Sequence, residues 1–403
     1  MRHALAPLAI VMALTAACGD SGAPLEDADG DGDGGSGVGG SALNGSGGSD
    51  TGGSASTAGG GDVGGAPASG IAPEGAVDGE HTASEGDNTV EASPSADDVL
   101  RVDLEPNEHV GFFLAFDGDF DGVELELSRW DGEAPVVLGF TDGGAGLRTL
   151  AAFDASGPRT FWIRVRSDSD GFTGTLAVTR TPFHDGAQCE EDCDRLLQFP
   201  MRNDPTVDGY DWTTSTVFRY QFGRRDLVMF VRHAARQMAL AGRAPIFPED
   251  FSQWNGETPG NDVGAPRHAS HQRGKDVDVS LYGTDGLAPW RSYCEVEYTS
   301  DGRECIAGTA SGLDGAVNAE MFGAFLESGR VTMSFLDQEL IGVLQDGADE
   351  AVDADALDPA FVPLINDGQH LQHWPNHDNH VHVRVSEEPY GAASVTPPSF
   401  EAP

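Results

Sequence analysis

The chain has 403 residues, with 66 Asp and Glu against 23 Lys and Arg, for a formal net charge of −43. That length suits two or three domains rather than one. So acidic a chain repels phosphate backbones, which excludes nucleic acid as a partner, and it contains a single lysine, Lys275.

In chain order, residues 1–18 read as an export signal. Arg2 supplies the positive end, Leu5 to Leu14 the apolar stretch, and "LTAAC" the processing site. A cysteine directly after small residues resembles a bacterial lipoprotein signal. The resemblance implies cleavage before Cys18, lipidation of Cys18 and a mature chain tethered to a membrane. Gly19 then favours the outer membrane, facing the periplasm. Residues 19–96 are rich in Gly, Ser, Ala and Asp and hold no Phe, Trp, Tyr, Lys or Arg. Such a segment buries too little apolar surface to offset its ordering entropy, so a disordered linker is expected. Within it, "DADGDGDGG" (Asp27 to Gly35) lacks the late bidentate Glu and the flanking helices of a calcium loop.

Residues 97–183 change to strand patterning. "VELEL" (Val123 to Leu127) alternates strictly, and "RTFWIRVRS" (Arg159 to Ser167) and "GTLAVTR" (Gly174 to Arg180) nearly so. Turn signals such as "DGDFDG" and "SDSDG" separate them, and an all-β sandwich is predicted. Its pattern is similar to β-sandwich domains appended to secreted bacterial peptidases. With no cluster of catalytic residue types, it reads as a spacer or stabiliser, with wall or glycan binding as the alternative.

Residues 189–387 mix helices and strands without a βαβ rhythm, which predicts an α+β domain, followed by a flexible tail over 388–403. "RRDLVMFVRHAARQMALAG" (Arg224 to Gly242) is an amphipathic helix, with Leu227, Val228, Phe230, Val231, Ala234, Ala235 and Met238 on one face. His233 belongs to its surface. Asn318 to Gly329 is a second helix, and Arg330 to Leu336 and His380 to Val385 are strands. Met201 to Thr216 follows no pattern. Cys189, Cys193, Cys294 and Cys305 suit two disulfides; three connectivities exist, and the local pairs Cys189–Cys193 and Cys294–Cys305 are expected.

Two segments concentrate chemistry. In "GAPRHASHQRGKDVDVSLY" (Gly264 to Tyr282), His271 and Asp278 are seven apart, which does not fit two ligands on one helix turn. Gly274 and the β-branched residues after it predict a loop entering a strand, with Asp276 and Asp278 on one face and Val277 and Val279 on the other. In "HWPNHDNHVHVRV" (His373 to Val385), His380 and His382 share one strand face while Val381 and Val383 point to the core. Five of the 12 histidines lie between His370 and His382. Two histidines and a carboxylate suit Zn²⁺ with a fourth position open to water. A histidine-rich storage tract would need no core face, and the alternating valines supply one.

"HASHQRGKDVDVSLY" and "HDNHVHVRV" resemble the two signatures of the penicillin-insensitive murein endopeptidases, zinc metallopeptidases related to lysostaphin, the D-Ala-D-Ala metallopeptidases and hedgehog. "EDFSQW" (Glu249 to Trp254) and "VTMSFLDQEL" are similar to further stretches of that branch. The broader group has Ser and Ala where this chain has Ala269 and Asp276, which fits the murein branch better. The resemblance covers about half the chain, Gln198 to Val385. It implies zinc on a small antiparallel sheet, with His271, Asp278 and His382 as ligands. It implies His380 as the catalytic histidine, His268 and His377 as further active-site histidines, and Ser252 and Gln253 on the substrate side. Asn376 departs from a usual glycine, and "WNGETPGNDVGAP" replaces a Gly-rich stretch. The implied activity is hydrolysis of peptide cross-links in peptidoglycan. The alternatives are a D-Ala-D-Ala carboxypeptidase or protein-directed peptidase with the same metal centre, and a non-catalytic zinc-containing module that binds murein.

Overall fold

A computed structural model describes residues 70–117, 122–141, 146–154, 158–182, 186 and 188–386. The signal segment, Cys18, the linker up to residue 69 and the expected tail lie outside the described residues. The chain is a mixed α and β protein. Among the described residues no helix is long and apolar enough to cross a membrane.

Nine strands come first: β1 (His81–Thr82), β2 (Gly86–Ala92), β3 (Asp98–Leu104), β4 (Glu108–Ala115), β5 (Val123–Trp130), β6 (Pro135–Thr141), β7 (Leu147–Asp154), β8 (Arg159–Ser167) and β9 (Phe172–Pro182). They form two sheets, ordered β1-β3-β8-β5-β6 and β2-β9-β4-β7. The alternation read in "VELEL" is realised: Val123, Leu125 and Leu127 are fully buried between the sheets with Leu100, Phe112, Ile163 and Leu176.

One expectation is corrected. The linker does not extend to Ala96, because β2 pairs with β9 from Gly86↔Val178 to Ala92↔Phe172. Val90 and Ala92 turn into the core. An edge strand needs only two inward side chains, so its polar composition resembled disorder. The preceding stretch packs Ala72, Ala76 and Val77 on the cluster of Val99, Trp130 and Trp162, and polar contacts add to that hold. The Arg101 guanidinium donates to the carbonyls of Ala72 at 2.7 Å and Pro73 at 2.8 Å. Trp162 Nε1 donates to Glu80 Oε2 at 2.7 Å, and Glu80 caps the amides of Gly75 and Val77.

The second part comprises β10 (Leu196–Gln198), α1 (Pro205–Asp208), β11 (Phe222–Arg224), α2 (Arg225–Leu240), β12 (Pro248–Glu249), β13 (Asp276–Ser280), β14 (Val296–Tyr298), β15 (Arg303–Cys305), α3 (Gly315–Leu326), β16 (Val331–Leu336), α4 (Gln338–Asp353), α5 (Val362–Ile365), β17 (Leu371–His373) and β18 (His380–Val385). Five strands make its main sheet, β12-β13-β18-β16-β17. Val277, Val279, Val381 and Val383 share one core with α2, α3 and α4. All seven apolar residues assigned to one face of α2 are buried, and so are Asp226, Met229 and Arg232. The helix is buried more widely than an amphipathic surface helix because it also meets the sandwich: the Arg232 guanidinium lies 3.8 Å from the centre of the Phe153 ring. Helix α3 starts three residues earlier than expected, where the Asp314 carboxylate caps the amide of Val317 at 3.0 Å. The unpatterned Met201–Thr216 stretch contains α1, capped by Asp204 and closed by Gly209.

The sandwich is joined to this second part by buried hydrogen bonds. His109 Nε2 donates to Gln198 O at 2.8 Å, Gln198 Nε2 donates to Thr149 O at 3.2 Å, and Met201 N donates to Ala151 O at 2.8 Å. Burial pushes the His109 imidazole down to about 4, and Arg232, Arg195 and Arg225 nearby act in the same direction. An unfolded histidine titrates near 6.5, so the unfolded chain takes up this proton first as pH falls. The contribution of His109 is therefore complete above about pH 6.5 and is lost as pH falls toward 4. Denaturant titrations between pH 7.5 and 4.5 will show the wild type losing more stability than His109→Gln, by on the order of 3 kcal/mol. Equal losses in the two proteins would remove His109 as the cause.

Candidate metal centre

The register of the main sheet builds the site. In the β13–β18 ladder Asp278 lies opposite His382, Ser280 opposite His380 and Asp276 opposite Arg384. The valines face the other way and anchor the ladder in the core, so the acids and histidines are forced onto one face.

The third element is the loop before β13. His271, Arg273 and Gly274 adopt positive φ values of 52°, 60° and 62°. At Gly274 glycine is required for space as well: a Cβ would stand 2.4 Å from Leu196 Cδ2 and 2.6 Å from Arg224 N. The loop lies directly on β11, where Arg224 N donates to Gly274 O at 2.7 Å. That contact folds His271 back over Asp278.

Three donor atoms converge. His271 Nε2 is 3.3 Å from Asp278 Oδ1 and 3.1 Å from His382 Nδ1, and His382 Nδ1 is 3.2 Å from Asp278 Oδ1. Tetrahedral bonds of about 2.0–2.1 Å place ligand atoms about 3.3 Å apart, close to this triangle. The remaining ring nitrogens fix the tautomers. His271 Nδ1 donates to the carbonyls of Asp250 and, at 3.2 Å, Phe251. His382 Nε2 donates to Asp276 Oδ1 at 2.9 Å. In the neutral rings, His271 Nε2 and His382 Nδ1 therefore carry lone pairs aimed at each other across 3.1 Å.

Asp278 Oδ1, the third member, is buried and accepts no hydrogen bond among the described residues. Burial alone would raise its carboxyl, yet the surrounding histidines hold it well below the usual carboxylate range, so it is an anion. A buried carboxylate between two imidazoles needs a positive charge beside it, a proton on a ring or a metal ion, and the spacing of the three atoms suits a metal ion. The residues present therefore fit a metal ion.

Asp276 serves the next layer. Burial would raise its carboxyl too, but His382 and then Arg384 hold it below the usual range. It takes hydrogen bonds from both His382 and Arg384. A carboxylate behind a ligand histidine fixes its ring and raises its basicity.

His268 stacks on His271 with ring centres 4.1 Å apart, and its Nε2 donates to Asp250 Oδ2 at 2.8 Å. It offers a rival third donor, since His268, His271 and Asp278 also place one ligand atom each within 4.8 Å of one another. Its Nδ1, however, is 3.8 Å from Asp278 Oδ2, and its side chain is a quarter exposed. His382 is closer and buried.

His380 Nδ1 meets Asn379 Oδ1 at 2.6 Å, leaving Nε2 directed toward Asp278 Oδ1 at 3.6 Å. Burial pushes its imidazole down to about 3 and that of His377, packed against it at 4.8 Å, to about 4. Both are neutral near pH 7. Trp290 packs on His380 at 5.2 Å, and Phe335 on His382 at the same separation.

Ser252 and Gln253, expected on the substrate side, are buried behind the site and hydrogen-bonded to backbone carbonyls. Ser252 is fully buried and its hydroxyl donates to Phe222 O at 2.6 Å. Gln253 Nε2 donates to Thr258 O at 2.7 Å, and Thr258 Oγ1 donates to Ser270 O at 3.0 Å. Both hold the loops under His268 and His271. Sequence reasoning missed Asp250, Arg384 and Trp290, and read Asp276 only as sharing a face with Asp278. Its pairing across from Arg384 and beside His382 needs the ladder register. Both disulfides, Cys189–Cys193 and Cys294–Cys305, are formed as expected. His370 pairs with Asp367 instead of joining the cluster.

Replacing Asp276 by Asn keeps the shape but removes the charge behind His382. Cation affinity, read by competition with a chromophoric chelator, will fall about 10–100-fold. An unchanged affinity would show that Asp276 does not tune the ligand.

No family model and no curated protein matches the chain. Among solved structures, it is similar to the pre-peptidase C-terminal domain of a collagenase from Bacillus anthracis, at 9% identity and a TM-score of 0.20, over 25% of this chain and 94% of that one. At that score the likeness supports no statement about fold or activity.

Proposed function

We infer that the chain is a zinc-dependent murein endopeptidase that hydrolyses peptide cross-links of peptidoglycan. The observation that carries this reading is the triangle of His271 Nε2, Asp278 Oδ1 and His382 Nδ1, three donor atoms spaced as the ligands of one metal ion. These three residues would hold the zinc. Two imidazoles and one carboxylate are a common zinc donor set, and three protein ligands with an open position mark catalytic rather than structural sites. When bound, zinc supplies Lewis acidity and makes water a competent nucleophile near neutral pH.

The chain's own residues supply the proton chemistry. Asn379 holds the Nδ1 proton of His380, so Nε2 is the basic atom. A neutral imidazole accepts the proton of the attacking water at Nε2 and returns it to the leaving amine. His377 and Trp290 pack against His380, fix its plane and keep bulk water away. A module that only binds murein needs no neutral base 3.6 Å from the metal-binding carboxylate.

Two disulfides fit an oxidising compartment, which agrees with export and with lipid anchoring through Cys18 to the bacterial membrane. The choice of peptidoglycan peptides as substrate rests on the resemblance of the two histidine segments to the murein endopeptidases.

His382→Ala and His380→Ala will fail differently. His382→Ala will lose both zinc and activity. His380→Ala will keep near-normal zinc while hydrolysis falls roughly 10²–10⁴-fold, the usual worth of a positioned acid–base group. Zinc content and digestion of purified cross-linked muropeptides, with products identified by mass, decide the matter. Release of terminal D-Ala alone would favour the carboxypeptidase reading. Full activity with normal zinc in both variants would sink the assignment.

A further inference from the structure

A hairpin outside the main sheet grips the segment that carries His377 and leads into His380. Its strands β14 and β15 are joined at their base by the Cys294–Cys305 disulfide. Asn376 N donates to Arg303 O at 2.7 Å, and Arg303 N donates to Asn376 Oδ1 at 2.8 Å. The Arg303 guanidinium donates through Nε and Nη2 to Asp378 Oδ1, at 2.8 and 2.7 Å. Tyr293 N donates to Asp378 O at 3.1 Å. Cys305 N donates to Asp337 Oδ2 at 2.9 Å, while Asp337 N donates to His377 O at 3.0 Å. Residues 376, 377 and 378 are thus all tied to the hairpin, directly or through Asp337.

The contact is fitted as well as bonded. Asn376 has φ +64°, a conformation Asn tolerates better than most residues. Gly302, opposite it, has φ +139°, and a Cβ there would stand 2.6 Å from Asn376 Nδ2. Asp378 is fully buried, and its Oδ2 has no hydrogen-bond partner among the described residues. Without Arg303, this buried carboxylate would lose its strongest contacts.

The metal-binding residues have restraints of their own, although His382 shares β18 with His380. His271 hangs from Asp250 and Phe251, Asp278 sits in β13, and His382 is fixed by Asp276. We propose that the disulfide-closed hairpin is the positioning element for His377 and His380, with Arg303 acting through Asp378, and that it sets turnover without setting metal binding. The inference rests on the reading of His380 as the proton acceptor. It also accounts for Asn376 in place of the glycine usual in the resembling family: the side chain is used to bind the hairpin.

The test compares the full mature chain with Arg303→Met, Arg303→Lys and a Cys294→Ser/Cys305→Ser double variant. Three readouts are taken: zinc content, kcat and KM on cross-linked muropeptides, and the NMR signals of the histidine ring carbons. Arg303→Met and the double variant should keep zinc. Their kcat should fall on the order of 10²-fold, the scale of a slightly misplaced catalytic group, with KM nearly unchanged. His377 and His380 signals should shift or broaden while those of His271 stay. Arg303→Lys should recover part of kcat. If Arg303→Met does not fold, Asn376→Gly removes one hydrogen bond at a position where glycine is at ease, and should give a smaller change of the same kind. Unchanged ring signals and kcat would overturn the proposal, as would zinc loss in parallel with kcat. Should the wild type cleave no muropeptide, the peptidase reading falls. The ring signals then decide the positioning role alone: selective shifts at His377 and His380 support it, and their absence overturns it.

Discussion

The constraint on which the site depends is the meeting of Asp278, His271 and His382 at just over 3 Å in a buried place. Each is brought there by a separate device. The ladder places Asp278 against His382, and a positive-φ loop brings His271 over them. The second nitrogen of each ring is occupied, by a backbone carbonyl for His271 and by Asp276 for His382. Both lone pairs are left facing a carboxylate. In an apolar protein interior such a cluster is stabilised by a positive charge, carried by a protonated ring or by a metal ion. Much of the surrounding structure can be understood as keeping these three groups together.

The sandwich belongs to this support. Phe113 of β4 packs on Phe222 of β11 with ring centres 6.0 Å apart. Phe222 in turn exchanges hydrogen bonds with Ser252, beside the carbonyls of Asp250 and Phe251 that orient His271. Phe251 also stacks on Phe199, whose amide donates to Gln221 O. A continuous series of packed rings and buried hydrogen bonds thus runs from the sandwich to the back of the metal-binding loop.

On the opposite side the site is built for chemistry of a different kind. His377 and His380 are neutral and packed against each other, and are walled by Trp290 and Phe335. The segment that carries His377 and leads into His380 is held from outside the sheet by the β14–β15 hairpin. His380 and His382 share β18, so the hairpin restrains the approach to the strand while the ladder restrains the strand itself.

The sequence by itself determined a good deal. Strict alternation placed Asp276 and Asp278 on one strand face and His380 and His382 on another, because a strand's side-chain period leaves no other choice once the valines are committed to the core. Apolar spacing located α2, and the spacing of four cysteines made the local disulfides the natural pairing. What failed was whatever depended on partners distant in sequence. The strand at Gly86–Ala92 is stabilised by β9, so its own composition looked disordered. The carbonyls that Ser252 and Gln253 bind, those of Phe222 and Thr258, follow from no local pattern. The role of Asp276 required the register against β18, and that of Arg303 required a hairpin whose contacts lie more than 70 residues away in the chain. Local periodicity sets which side of an element a residue faces; only tertiary structure decides what it meets there, because hydrogen-bond partners and burial are properties of the packed chain.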